Sequence, residues 1–232
     1  MNIIKKARVS ADKRSIDAYG RSVDGYTYGR EEEITYDTYS VGDEVTYNNI
    51  DYYVIKDSDT TEDSVTLLKA EPITSAEISP YLSSTEVANK VDINGTYAAM
   101  SYYARDNCVS AGDTSGCSTD YLVSDIKQVV DIWKSKYFND AIEARLIKLE
   151  ELLNDLGYED RNDGTIHPAS NNYDTPGWVY FTGYYYWTMS SYGDSENRIL
   201  YISSIGDSFP GDVTNAYVIR PVITIKKSAL ES

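Results

Sequence analysis

The side chains in this chain that could do covalent or acid–base chemistry are few, and none has the neighbours such chemistry needs. The single histidine, His167, precedes Pro168 in a polar stretch, with no Gly-x-Ser-x-Gly turn or reactive-cysteine signature beside it. Asp and Glu together number 37, so carboxylate pairs can be drawn almost anywhere and single out no acid–base couple. No Gly-x-Gly-x-x-Gly and no phosphate-binding loop occurs. The expectation is a protein that is not an enzyme and carries no cofactor.

The two cysteines, Cys108 and Cys117, flank a Gly/Ser/Asp-rich segment that folds back easily. In an oxidising compartment a disulfide closing that loop would contribute roughly 2–3 kcal/mol; two free thiols are the alternative. Zinc is disfavoured, because two thiolates and the distant His167 do not complete a tetrahedral shell unless carboxylates help. Hard oxygen donors are better represented. Asp194, Glu196, Asn197, Asp207, Asp212 and Asn215 fall in two polar loops near the C-terminus. Their chemistry suits calcium, but no EF-hand spacing orders them, and the expectation is a solvated acidic rim with no metal.

The same region is rich in rings. It runs Phe181-Thr-Gly-Tyr-Tyr-Tyr-Trp-Thr-Met-Ser190, a polar loop, a short apolar strand, a second polar loop, and Val218-Ile-Arg-Pro-Val-Ile-Thr-Ile225. Rigid aromatics beside adaptable Ser, Gly and Asn compose a recognition surface. Tyr occurs 23 times while Phe, Met and Trp occur three times each, so many rings must stand half-exposed with a wet hydroxyl. Alternation along a strand sends Tyr185 and Trp187 to one face and Tyr184 and Tyr186 to the other, so one pair is expected in the core. The net charge of −16 excludes nucleic-acid phosphates and anionic membrane surfaces as natural partners. No run reaches the ~18–20 apolar residues of a membrane-spanning helix, and no signal peptide is visible. Any membrane attachment would reside in an N-terminal segment missing from this chain.

The elements that must position these residues alternate between strand and helix patterns. Met1 to Asp24 reads as a helix with a sparse stripe of Ile3, Ile4, Ala7, Ala11, Ile16 and Tyr19. Ser40–Tyr47, a turn at Asn48-Asn49, and Ile50–Lys56 read as a hairpin, with Ser64–Ala70 as a third strand. Residues 71–120 are polar and loop-rich. Tyr121 to Tyr137 is the clearest helix, with Leu122, Ile126, Val129, Val130, Trp133 and Tyr137 on one face. Ala144–Ile147 suits a short strand or the start of a helix, Glu150–Leu156 is helical and stops at Gly157, and Arg161–Pro176 is a long loop. Short strands follow at Trp178–Thr182, Tyr185–Met189, Arg198–Ile202 and Tyr217–Ile225. Strands at both ends enclosing helices predict an α+β fold whose terminal strands can pair.

Tyr186-Trp-Thr-Met-Ser-Ser-Tyr192, Gly206, Val213 and the closing Val218–Leu230 resemble the C-terminal block of bacterial C-type-lectin-fold proteins, some of them targets of diversity-generating retroelements. Upstream, Val41–Tyr47, Tyr53–Asp57, Val65–Ala70, Ala144–Ile147, Glu150–Leu152 and Leu156–Tyr158 are also similar, so the resemblance covers roughly residues 38–230. Ser191 stands where the family often has proline, and Leu200 where it often has tryptophan. Separately, Asn2-Ile-Ile and Ser10–Arg21 resemble the distal part of a type IV pilin-like N-terminal helix.

The resemblance implies two parts: residues 1–30 as a pilin-like helix remnant, and residues 31–232 as a C-type lectin-like ligand-binding domain of mixed, mainly antiparallel short strands with two helices. It implies a protein displayed outside a bacterial cell, whose diversified C-terminal face binds an unidentified protein in preference to a glycan. The matching variable positions include Asp194, Ser195, Glu196, Asn197, Ser203, Asp207, Gly211, Asp212 and Asn215, with Tyr192, Tyr201, Phe209 and Tyr217 as anchors. Trp187, Gly206, Arg220 and Pro221 are expected to be scaffold. The alternatives are a calcium-dependent glycan-binding lectin and a structural pilus subunit without a ligand of its own.

Overall fold

Asn48 and Asn49 take φ of 49° and 62°, the left-handed pair that a tight hairpin turn needs and asparagine tolerates. They join β3 (Glu44–Tyr47) to β4 (Ile50–Asp57) as expected from the sequence. The computed structural model describes residues 15–16, 22–23, 36–57, 62–82, 91–93, 95–102, 119–160, 166–168, 176–193 and 197–230. β4 continues into β5 (Val65–Lys69), which pairs with β14 (Val222–Ile225) near the C-terminus, and β7 (Glu143–Arg145) closes the sheet. All of these ladders are antiparallel. The terminal strands therefore do meet, Val65 opposite Ile225 and Leu68 opposite Val222.

A second five-stranded sheet is built mainly from the last third of the chain. Its order is β12 (Ser208–Asp212), β11 (Arg198–Ile202), β10 (Tyr186–Ser191), β13 (Ala216–Val218) and β6 (Ala99–Ser101). Only the β10–β13 pairing is parallel. Helices are few. α1 (Ser75–Ile78) is a single turn begun by a Thr74–Glu77 capping box. α2 (Asp125–Tyr137) starts at Ser124, whose hydroxyl accepts the Lys127 amide, and ends with Lys134 and Lys136 against its negative pole. α3 (Leu149–Asn154) precedes Gly157, which sits at φ +71°. The fold is α+β with two mostly antiparallel sheets.

Several sequence expectations need correction. Tyr121–Val123 is a 3₁₀ turn rather than the first turn of α2, and Leu122 is exposed. The expected strand at Trp178–Thr182 is a series of turns, and the Arg161–Pro176 loop contains β9 (Ile166–Pro168), paired with β8 (Tyr158–Asp160). Tyr217–Ile225 is not one strand: Arg220 and Pro221 interrupt it, and its halves enter different sheets. In the N-terminal 1–30 segment the described pieces are β1 (Ser15–Ile16) and β2 (Ser22–Val23), which pair with each other as strands. The remainder of the helix expected there, and Cys108 and Cys117, lie outside the described residues.

Both sheets are buried on both faces over part of their length. One apolar cluster unites Tyr52, Val54, Leu67 and Ile223 of the first sheet with Val129, Val130 and Trp133 of α2 and with Met100, Trp187 and Ile199 of the second. The other joins Leu68 and Val222 to Leu152, Tyr158, Ile166, Tyr186, Ile202 and Val218. This double burial overturns the expectation that either Tyr185/Trp187 or Tyr184/Tyr186 would be core. Tyr186 and Trp187 are both fully buried, on opposite faces, while Tyr184 and Tyr185 are exposed.

Candidate binding site

Register lines aromatic side chains across the second sheet. Phe209 of β12 stands opposite Tyr201 of β11, Tyr201 opposite Trp187 of β10, and Tyr217 of β13 opposite Met100 of β6. Because successive residues point to opposite faces, these all project from one side. The rings touch in sequence: Trp187–Tyr217 at 4.5 Å between centroids, Tyr201–Tyr217 at 4.6 Å and Tyr201–Phe209 at 6.2 Å. Tyr185, just before β10, joins the set at 5.4 Å from Tyr201 and 5.6 Å from Tyr217. The row runs from the core outwards. Trp187 is buried with its indole N–H donating to the Met100 carbonyl at 3.0 Å, Tyr201, Tyr217 and Phe209 are half-buried, and Tyr185 is exposed.

The hydroxyls converge as well as the rings. Asn215 Nδ2 donates to the Tyr217 hydroxyl at 3.0 Å. Burial pushes the Tyr217 phenol up to about 12, with the neighbouring Tyr201 and Tyr185 oxygens adding to the rise. The Tyr201 phenol is also raised, first by burial and then by Tyr185. Both stay neutral donors at physiological pH. Gly211 lies beneath the rings. A Cβ there would fall 2.8 Å from Tyr201 and 3.0 Å from Tyr217, so only glycine lets them close together.

Of the residues singled out in the sequence, Tyr201, Phe209, Tyr217 and Asn215 are thus brought together. Others are elsewhere. Ser203 is buried, so its expected place on a contact surface is wrong; its amide bonds to the Asp207 carbonyl inside the β11–β12 turn. Tyr192 stands at the opposite end of β10 from Tyr185, its amide bonded to the Arg198 carbonyl. The Asp212 carboxylate accepts from both the amide and hydroxyl of Thr214, shaping the β12–β13 turn. Asp207 and Asp212 flank and end the five-residue β12, roughly 17 Å apart at strand rise, too far to share one cation. Asn197 is half-buried, with its carbonyl accepting from Val213, while Asp194, Ser195 and Glu196 lie outside the described residues. Among the described residues no group of three or more His, Cys, Asp or Glu is placed to hold a metal ion. The backbone of His167 pairs with Glu159 in the β8–β9 ladder.

The residues expected as scaffold, Trp187, Gly206, Arg220 and Pro221, are buried. Arg220 is fully buried and its guanidinium donates to four carbonyls: Val179 and Trp178 at 2.6 Å, Lys69 at 2.7 Å and Ala70 at 3.0 Å. It thereby fixes the 177–180 turns to the end of β5 and lies over the Tyr186 ring. Pro221 is buried and hands its carbonyl to the Lys69 amide. Gly206 takes φ +95° and accepts from the Tyr158 hydroxyl at 2.7 Å. Sequence reasoning left Tyr185 out of the contact residues, although its alternation with Trp187 already carried the signal. Comparison of the chain with protein-family models, curated proteins and solved structures gives no match.

Proposed function

We propose that the chain is a surface-displayed binding protein with a C-type lectin-like domain, and that the aromatic face of its second sheet takes a protein partner. The single observation that carries this reading is the cross-strand row Phe209–Tyr201–Tyr217 with Tyr185 at its outer end. Half-buried tyrosines anchored on a packed strand face offer large contact area at small entropic loss, as the centre of a protein interface requires. Their hydroxyls and Asn215 add polar contacts beside the apolar rings. The lectin-like reading of the fold is supported by the pairing of β5 with β14 and by a second sheet drawn from the C-terminal third. Retroelement diversification of this face, and display at a bacterial cell surface, rest on the sequence resemblance.

Two experiments test the proposal. The DNA surrounding the coding sequence is expected to hold a reverse transcriptase gene and an adenine-rich near-copy of the 3′ coding end. Affinity capture from neighbouring-cell surface proteins is expected to yield a partner with the parent chain, and to lose it with Tyr201→Ala and with Phe209→Ala. Capture of the same proteins by parent and both variants would sink the assignment of this face.

A further inference from the structure

Among the described residues, cations lie over two rings, Lys136 over Tyr81 and Arg220 over Tyr186. None covers Tyr185, Tyr201 or Tyr217 of the aromatic face. The sequence gives the reason. Between Arg161 and Arg220 the chain has one lysine or arginine, Arg198, against six carboxylates: Asp163, Asp174, Asp194, Glu196, Asp207 and Asp212. Alternation along β11 turns Arg198 to the side opposite Tyr201. The segment that carries the face is therefore acidic, within a chain of net charge −16, and a cation arriving on a partner is drawn towards it.

Ring geometry then selects among cations. Tyr201 and Tyr217 close to 4.6 Å between centroids, and Tyr185 stands 5.6 Å from Tyr217 at 84° to it. Rings in contact leave no hollow between them, so a methylated ammonium has no aromatic cage to enter. What they turn outwards is a corner of ring faces, with Tyr185 44% exposed. A planar guanidinium stacks on such a surface from one side and is weakly hydrated, whereas a lysine ammonium is a compact charge that holds its water tightly. Asn215, exposed beside Tyr217, spends Nδ2 on that hydroxyl and leaves its amide oxygen as an acceptor.

Resting on the reading of this face as a protein-binding surface, we propose that it takes an arginine side chain presented by a basic partner protein. The guanidinium stacks on Tyr185 beside Tyr217, and the surrounding carboxylates supply the longer-range attraction that favours a basic partner over an acidic one.

The test uses the full chain and end-capped hexapeptides in which glycine alternates with arginine, lysine, citrulline or norleucine, each up to ~10 mM to reach millimolar affinities. Citrulline keeps the planar shape without the charge, and norleucine keeps only apolar length. The arginine peptide is expected to shift the Tyr185 and Tyr217 ring resonances and to bind about threefold or more tighter than each of the others. Tyr185→Leu keeps apolar area at an exposed position but removes the ring face. It is expected to weaken the arginine peptide about threefold, with the melting temperature unchanged and the norleucine peptide unaffected. Silence from the arginine peptide, equal binding of the lysine or citrulline peptide, or arginine binding that Tyr185→Leu leaves unchanged overturns the proposal. If the norleucine peptide binds best and is lost with Tyr201→Ala, the arginine inference falls while the face stands as a binding surface. The same holds if a captured partner is lost with Tyr201→Ala and none of the peptides binds.

Discussion

A Cβ placed on Gly211 would meet Tyr201 Cδ1 at 2.8 Å, near the root of the ring, where a small rotation does not relieve the clash. Gly211→Ala is therefore expected to spread Tyr201 and Tyr217 apart, costing about 1–3 kcal/mol, the range for overpacking. Thermal unfolding measures the stability loss and aromatic NMR the ring displacement; unchanged ring shifts would contradict the packing described. Tyr217 gives a second prediction at this scale. Its phenol lies near 12 in the fold and at 10.0 when unfolded, so the unfolded chain loses its proton first. The stabilising contribution is complete below pH 10 and disappears as pH rises through about 12. Tyr47, also raised to about 12 by burial and by its bond to Asp140, acts over the same interval. Alkaline unfolding of Tyr217→Phe should show a shallower decline across that window than the parent chain.

Arg220 works between elements. Its planar fork serves carbonyls from the end of β5 and from the 177–180 turns, which one ammonium cannot reproduce. Arg220→Lys is expected to destabilise by about 1–3 kcal/mol for each carbonyl it strands, measured by denaturant titration, with the Trp178 emission changing first. The Arg145–Glu151 pair ties β7 to α3 in the same way: Nη1–Oε2 is 2.8 Å and Nη2–Oε1 is 2.5 Å, with both side chains under 10% exposed at 7% and 9%. Glu151→Ala leaves a buried guanidinium without that partner and is expected to cost about 3–5 kcal/mol. The double variant Arg145→Met/Glu151→Leu should recover most of that loss. If the double variant is no better than the single one, the loss comes from packing rather than from an unpaired charge. α2 needs no such bond to the core, because Ile126, Val129, Val130 and Trp133 are wholly buried on one face.

Over the whole molecule the net charge of −16 opposes compaction. Raising ionic strength from ~10 mM to ~150 mM shortens the screening length from about 30 Å to about 8 Å. The melting temperature is expected to rise with it; a fall would show that attractive pairs such as Lys127–Asp131 dominate the surface. What the sequence determined by itself is local. The Asn48-Asn49 turn, the β3–β4–β5 run, α2 with its buried stripe and β11 follow from turn chemistry, capping and apolar period, all of which act within a few residues. Tertiary structure decided the rest. Ser208–Asp212, reading Ser-Phe-Pro-Gly-Asp, has poor strand chemistry and becomes β12 because β11 offers it an edge, Tyr201 against Phe209. Tyr217–Ile225 reads as one strand and divides because Arg220 must turn inward to its four carbonyls. Tyr186 and Trp187 are both buried because each face of β10 meets a different core, and Ser203 is hidden by the turn it closes. Composition showed an excess of tyrosine; only strand pairing decided which tyrosines share one sheet face, since a cross-strand neighbour leaves no mark in the residues beside it.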